Sequence, residues 1–168
     1  ANGLAENDKI IDKGEDYQAF IQALNQVTTE LAKMMAGDGE GATKLLEVKV
    51  IGAKTKEDAV TISKSIITSN LVKTAIYGND ANWGRILCAM GYSGVGFNPD
   101  NVDLFIESEE GKLKLVENGM STDYSEEIAT KILSSSKVIA IADIKSGNEK
   151  ATAWGCDLTY DYIKINAD

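Results

Sequence analysis

A carboxylate flanked by two glycines stands out among the residues of this sequence that could do chemistry. Glu40 lies between Gly39 and Gly41, in a stretch that continues to residue 44. Glycine lets the backbone come close to a ligand, and a carboxylate accepts charge-assisted hydrogen bonds from an ammonium group. The stretch does not match a Walker loop, because its lysine is displaced and no strand precedes it. On the residues alone, a solvated turn between a helix and a strand is the favoured interpretation, with an ammonium-binding loop as the alternative.

Two further stretches combine polar and aromatic side chains. Residues 77–85 could line a polar pocket. The slightly favoured structural interpretation makes Asp80 a helix cap, Trp83 a core anchor and Arg85 a partner for carbonyls or a carboxylate. Residues 154–168 interleave polar and aromatic residues at the chain end and include Asn166. Taken alone, that pattern favours an edge packed on the core with a solvated asparagine.

The absence of histidine narrows the chemistry further. None of the 168 residues is a histidine, so this chain alone cannot build a Ser-His-Asp triad, a Cys-His pair or a histidine metal site. Acid and base chemistry would therefore come from carboxylates, amines, hydroxyls or another chain. Cys88 and Cys156 are far apart and form no CxxC pair, and we expect them to be buried, reduced thiols.

Charge and hydropathy indicate the environment of the protein. Lys and Arg number 17 against 26 Asp and Glu, and the net charge of -9 would repel phosphate backbones and anionic lipid head groups. No apolar run approaches the roughly 20 residues that span a bilayer, and residues 1–8 do not resemble a signal peptide. We therefore expect a cytoplasmic protein that binds neither nucleic acid nor membrane.

The elements that position the candidate residues follow from hydrophobic periodicity. Apolar residues from Tyr17 to Met35 recur every three or four positions, which predicts an amphipathic helix ending at Gly37. Further helices are predicted after the capping residues Thr55, Asp80 and Ser125, and a short one over residues 158–167. Strands are predicted at residues 46–50, 75–77, 102–107, 112–117, 138–144 and 150–156, the last two paired with each other. The fold class expected is α/β, a mixed sheet packed with helices.

Taken together, these stretches resemble one family, the ornithine acetyltransferases, also called glutamate N-acetyltransferases. The matching segments are residues 1–5, 37–44, 71–75, 80–94 and 154–168, in the family's order. The most specific are Asp-x-Asn-Trp-Gly-Arg at residues 80–85 and the tail. The resemblance implies a self-processing fold of the N-terminal-nucleophile kind, whose precursor cuts itself before a threonine into an α chain and a β chain. This sequence resembles the greater part of the β chain.

The activity implied by the resemblance is a two-step acyl transfer in arginine biosynthesis. The new N-terminal threonine takes acetyl from N2-acetyl-L-ornithine, ornithine leaves, and L-glutamate accepts the acetyl group. An N-terminal amine can activate its own hydroxyl, which suits a chain without histidine. No cofactor and no metal is implied, although some family members also take acetyl from acetyl-CoA. The partners implied are the α chain of the same precursor, in a hetero-oligomer of α and β chains, and the two amino-acid substrates.

The resemblance also implies roles for two residues. Glu40, in Gly-Glu-Gly-Ala-Thr, resembles the family's substrate-binding glutamate, and Asn166, in Lys-Ile-Asn-Ala-Asp, resembles an asparagine that contacts substrate. An acid and an amide are apt partners for an amino acid that carries an ammonium and a carboxylate. No catalytic residue is expected in this chain, because the nucleophilic threonine lies upstream of it. In the family the oxyanion-stabilising residues and a substrate lysine lie on the α chain.

The same resemblance predicts how the chain fits into the enzyme. Residues 1–40 are expected to complete a catalytic layer shared with the missing part of the enzyme, and residues 41–168 to form a C-terminal α/β domain. The nucleophilic threonine is expected upstream of Ala1. The family's usual ending, whose threonine also binds substrate, is expected beyond Asp168. Alone, this stretch is therefore expected to be inactive.

Two alternatives from other functional classes remain open. A self-processing aminopeptidase or amidase would use water, in place of glutamate, to release the acyl group. A non-catalytic amino-acid-binding module would come from a precursor without a cleavage threonine.

Overall fold

The computed structural model describes residues 2–167. Ala1 and Asp168 lie outside the described residues, and these are the positions from which the upstream threonine and the downstream ending are expected to continue. In chain order the helices and strands are α1 (Glu15–Gly37), β1 (Leu45–Ala53), α2 (Lys56–Ile67), α3 (Asn70–Tyr77), α4 (Trp83–Gly91), β2 (Asp103–Ser108), β3 (Gly111–Glu117), β4 (Met120–Ser121), α5 (Glu126–Leu133), β5 (Lys137–Asp143), β6 (Glu149–Cys156) and α6 (Tyr160–Asn166). A 3₁₀ turn at Pro99–Asn101 precedes β2. None of the helices in this part of the chain has the length and apolar character needed to span a bilayer.

The strands form one six-stranded mixed sheet in the order β4-β3-β2-β5-β1-β6. β1 and β5 run parallel, and the other neighbouring strands are antiparallel. This arrangement confirms the predicted α/β class with a mixed sheet packed with helices. The predicted pairing of β5 with β6 is wrong, because the strongly apolar β1 lies between them and pairs with both.

The core lies between one face of the sheet and helices that cover it. Leu46 and Val48 of β1 are 0% exposed and point toward these helices. Ile62 and Ile66 of α2 and Leu133 of α5 are likewise buried in the same cluster. Full burial of a side chain of this kind stabilises the folded state by roughly 1.5–3 kcal/mol. The alternating pattern of β1 therefore sets which face of the sheet is covered.

Helix α1 lies against the opposite face of the sheet. Its Lys33 ammonium is 5.6 Å from the centre of the Trp154 ring. Trp154 alternates along β6 with Gly155, which approaches Ile67 of α2 on the core face. The predicted helix is confirmed, but its apolar residues remain largely in solvent. We call the exposed apolar row the α1 stripe; it consists of Phe20, Leu24, Val27, Leu31 and Met35.

Three local predictions are wrong. Residues 75–77 belong to α3 and not to a strand, because Ser69 caps that helix by accepting from the Val72 N–H. The cap of α4 is Asn82, not Asp80: its side chain accepts from the Arg85 N–H at 3.3 Å.

The third wrong prediction concerns the two cysteines. Both thiols are free, but Cys88 is exposed and Cys156 is partly exposed, so the predicted burial does not hold. Cys88 lies on the solvent side of α4, and the next residue, Ala89, lies on the buried side of the same helix.

Candidate functional site

The structure places Glu40 and Asn166 in direct contact. Asn166 Nδ2 donates to Glu40 Oε2 at 3.0 Å and to the Tyr162 carbonyl at 2.9 Å, although 126 residues separate Asn166 from Glu40. Both side chains are exposed, so a ligand can reach them. A carboxylate has several acceptor positions, and Glu40 therefore keeps capacity for an ammonium group while it holds the amide.

Gly41 brings the loop of Glu40 against α6. Its φ is +66°, and a Cβ at this position would lie 2.8 Å from the Tyr162 nitrogen and 3.0 Å from the Asp161 Cβ. The Thr159 hydroxyl donates to the Gly41 carbonyl at 2.7 Å. Only glycine fits such an approach without strain. The close backbone approach indicated by the sequence is therefore an approach to α6.

Asp157 fixes the other half of this loop. Its carboxylate accepts from the Thr43 N–H at 2.9 Å, from the Lys44 N–H at 3.1 Å and from the Thr43 hydroxyl. Asp157 is 3% exposed, and its own N–H donates to the Lys44 carbonyl at 3.2 Å. Charge-assisted bonds of this kind are stronger than neutral ones, so the loop has a fixed path.

Lys44 connects the loop to the end of α3. Its ammonium donates to the Ile76 carbonyl at 2.7 Å and to the Asn79 side chain. A cation is favourable at the C-terminus of a helix, where carbonyls lack intrahelical partners. Burial lowers the pKa of Lys44, against a smaller opposing effect of the Asp157 charge. This lysine is thus part of the framework of the loop.

The structure confirms the predicted roles of Trp83 and Arg85 within residues 77–85, whereas the cap predicted at Asp80 is formed by Asn82. Arg85 Nη1 donates to the Leu71 carbonyl at 2.9 Å and to the Thr74 hydroxyl at 3.2 Å. Trp83 packs, partly buried, against the core. The side chain of Asn79, with φ at +56°, is the link from this stretch to Lys44. The role of the stretch is therefore to hold α3 and α4 in place behind the loop.

Sequence reasoning did not single out Asp157 and Thr159 within the tail. Thr159 caps α6 by accepting from the Tyr162 N–H at 3.1 Å, and a threonine at the start of a helix is a recognisable signal. Asp157 offers no comparable signal, because its partners Thr43 and Lys44 lie 114 and 113 residues away.

A cavity of about 390 Å³ opens beside α6. It is lined mainly by apolar and aromatic groups, among them Tyr77, Leu158, Tyr160 and Ile163, and it shares Thr159 with the contacts described above. Within residues 2–167, no three acidic or cysteine side chains are grouped so that they could hold a metal ion. The Glu40 carboxylate and the Asn166 amide are the exposed polar groups that meet at this site.

A family model and the sequences of known proteins point to the same family. The ArgJ family model matches residues 1–168. The arginine biosynthesis bifunctional protein ArgJ of Caldanaerobacter subterraneus subsp. tengcongensis is 51% identical over 166 residues, which cover 99% of this chain and 41% of that protein. The protein of the same name from Oceanobacillus iheyensis is 52% identical over 167 residues, covering 99% of this chain and 40% of that protein.

A solved structure shares the fold. The crystal structure of the arginine biosynthesis bifunctional protein argJ from Bacillus halodurans matches with a TM-score of 0.92 and 46% identity, covering 99% of this chain and 77% of that chain. The present chain spans about two fifths of the length of the curated relatives that it matches.

Proposed function

The chain belongs to the ArgJ family, and we propose that it is part of the β chain of an acetyltransferase that moves acetyl from N2-acetyl-L-ornithine to L-glutamate in arginine biosynthesis. The observation that carries the proposal is the 3.0 Å contact between Glu40 and Asn166. Both residues are the ones that the resemblance implies as substrate-binding. The relatives named above are bifunctional proteins of arginine biosynthesis, which supports the same assignment.

The geometry indicates how the two side chains would share a substrate. An asparagine amide has two N–H groups, and those of Asn166 donate to Glu40 and to the Tyr162 carbonyl. What Asn166 offers to a ligand is therefore its Oδ1 acceptor. Next to it, the Glu40 carboxylate adds acceptors that carry a negative charge. Two adjacent acceptors suit an ammonium group, which ornithine substrates and glutamate both carry.

In the proposed reaction this chain binds and orients substrate. The threonine hydroxyl, outside this chain, attacks the acetyl carbonyl of N2-acetyl-L-ornithine; the amide C–N bond breaks, and the ornithine nitrogen takes a proton. The glutamate nitrogen, after its ammonium has lost a proton, then attacks the carbonyl carbon of the acetyl ester; the ester C–O bond breaks, and the threonine oxygen takes a second proton from that nitrogen and regains its hydroxyl. Holding each substrate by its polar groups lowers the entropic cost of both attacks. The scheme uses no cofactor, and acetyl-CoA enters it only as an alternative acetyl donor.

The exposed apolar residues of the α1 stripe support the proposal that a partner chain binds here. Its residues include Phe20 at 54% and Leu31 at 52% exposure, on a helix that lies against β1 and β6 on the outer face of the sheet. A contiguous apolar surface of this kind marks an interaction site. We propose that residues 1–40 complete a catalytic layer with the rest of the enzyme, including its α chain, and that residues 41–168 form the C-terminal domain. The proposed location of this hetero-oligomer is the cytoplasm.

The test uses the full-length protein that contains this chain. Mass spectrometry reports self-cleavage before a threonine, and a coupled assay follows ornithine release from N2-acetyl-L-ornithine with and without glutamate. Glutamate-dependent release supports the proposal. Release independent of glutamate would indicate the aminopeptidase or amidase class, and an uncleaved, inactive protein would indicate a binding module.

Glu40→Gln tests the site itself. The substitution keeps the shape of the side chain and removes its charge, so kcat/KM for both substrates should fall roughly tenfold to hundredfold, as expected for a lost hydrogen bond to a charged group. Glu57→Gln on α2 is the control, because Glu57 is an exposed glutamate outside this loop. Equal kinetics for the two variants would contradict the site assignment.

A further inference from the structure

A single hydroxyl group joins the two segments that carry Glu40 and Asn166. Thr159 Oγ1 donates to the Gly41 carbonyl at 2.7 Å and accepts from the Tyr162 N–H at 3.1 Å. Gly41 directly follows Glu40 in the chain. The Tyr162 carbonyl accepts from Asn166 Nδ2 at 2.9 Å. The hydroxyl is therefore bonded to the residue after Glu40 on one side and to the first turn of the helix of Asn166 on the other.

The surroundings of Thr159 leave this hydroxyl few alternatives. Thr159 is 4% exposed, so water does not readily replace either hydrogen bond. The Asp157 carboxylate bonds to Thr43 and Lys44, which lie beyond Gly41 in the loop. The end of the loop next to Glu40 is thus held against α6 by Thr159 and by the packing of Gly41.

We infer that Thr159 is a positioning residue of the substrate site, setting the distance between the Glu40 carboxylate and the Asn166 amide. It acts through these two side chains. The inference rests on the proposed function, because the site that Thr159 aligns is the one proposed above. Its consequence is that loss of the hydroxyl weakens substrate binding even when the protein remains folded.

The experiment replaces Thr159 in the full-length protein by valine and by serine. Valine has nearly the shape of threonine but neither donates nor accepts, whereas serine keeps the hydroxyl. For Thr159→Val we expect KM for N2-acetyl-L-ornithine and for glutamate to rise about fivefold to tenfold, with kcat within about twofold, as for an interaction that contributes to binding. For Thr159→Ser we expect both KM values within about twofold of the wild type.

Thr55→Val is the matched control. Thr55 also caps a helix, accepting from the Asp58 N–H at 3.0 Å, but it follows β1, whereas the Glu40 loop precedes that strand. Its loss should lower the midpoint of thermal unfolding without changing either KM. A positioning role thus predicts a change in KM that a lost helix cap alone does not produce.

Two results would overturn the inference: wild-type KM values for Thr159→Val, or raised KM values that serine does not restore. If the valine variant does not fold, Thr159→Ala makes the same comparison without placing a methyl group against the Gly41 carbonyl. Glu40→Gln is measured in parallel. Reduced activity of Glu40→Gln with an unaffected Thr159→Val would reject the inference alone, whereas unaffected Glu40→Gln would reject the proposed site and the inference together.

Discussion

The ammonium of Lys44 donates to the carbonyl of Ile76 at 2.7 Å and so joins the residue before β1 to the last turn of α3. Lys44 is 8% exposed, and its partners are protein groups that include the Asn79 side chain. Since Lys44 also ends the loop that carries Glu40, this contact fixes the base on which the candidate site stands.

Replacing Lys44 by methionine should destabilise the protein. Methionine keeps much of the length of the side chain but removes the ammonium that donates to the Asn79 amide oxygen and to the Ile76 carbonyl, which keeps its longer 3.3 Å bond from the Asn79 N–H. The free energy of unfolding should fall by about 1–3 kcal/mol, the usual range for hydrogen bonds to a charged group. Thermal unfolding of the full-length protein checks this, with exposed Lys54→Met as control. Equal unfolding midpoints for the two variants would contradict the role of Lys44.

Gly41→Ala should impair the site more than Gly94→Ala does. Both glycines have positive φ, +66° and +83°, so both substitutions carry a backbone cost of roughly 1–2 kcal/mol. Only at Gly41 would the new Cβ also meet backbone, 2.8 Å from the Tyr162 nitrogen; at Gly94 nothing lies within 4 Å. We expect Gly41→Ala to raise KM for both substrates and Gly94→Ala to leave KM unchanged. Steady-state kinetics decide, and a similar KM in both variants would refute the argument.

Asp103 should make stability depend on acid pH. Burial by itself raises its pKa, but hydrogen bonds from Lys145 at 2.7 Å, from the Asn118 N–H at 2.8 Å and from Lys114 at 3.2 Å outweigh burial and hold the pKa below its usual range. The unfolded chain therefore binds the proton first as pH falls. The stabilisation is complete above the unfolded pKa of about 3.9 and is lost as pH falls from there through the lower folded pKa.

Asp103→Asn tests this dependence. The variant should unfold at lower temperature at pH 7 and should lose less further stability below about pH 4 than the wild type, because the ionised group is gone. Glu109→Gln, at an exposed residue of the β2–β3 turn, is the control. Parallel pH profiles for wild type and Asp103→Asn, from thermal unfolding at a series of pH values, would exclude the proposed contribution.

Leu24→Glu should separate this chain from the rest of the enzyme. Leu24 lies in the α1 stripe and is 44% exposed, so a charge there costs little in the isolated fold but is unfavourable in an apolar interface. Gln22→Glu adds the same charge on the opposite side of α1. In the proposed two-chain protein, we expect the chains to co-elute in size-exclusion chromatography for Gln22→Glu and to dissociate for Leu24→Glu. Intact assembly of both variants would argue against docking through the stripe.

Local patterns in the sequence were sufficient for most elements of the fold. The spacing of three and four residues in α1 and the alternation in β1 reflect geometry within one element, so each can be read without its neighbours. The cap at Thr55 and the hairpin of β2 and β3 are equally local. Residues 75–77 were misjudged because three apolar residues fit a strand or a helix, and the cap at Ser69 decides between them.

The resemblance of the sequence to a family identified Glu40 and Asn166, but their contact is a tertiary property. Hydrogen bonds that join residues more than 100 positions apart, such as those of Thr159 with Gly41 and of Asp157 with Thr43, depend on how β1 and α6 are brought together. The order of the strands in the sheet likewise depends on which strands, distant in sequence, pair with each other.

Exposure, too, was decided by tertiary packing. The amphipathic pattern of α1 predicts an apolar face. Such a face can pack in the core or form an interface with another chain, and the sequence of α1 does not distinguish these two cases. The structure leaves the α1 stripe in solvent, on a helix that lies against the face of the sheet opposite to the core helices. The sequence by itself determined which segments are helical or extended, since that depends on neighbours along the chain; only the tertiary structure decided which distant groups meet and which apolar surfaces remain open.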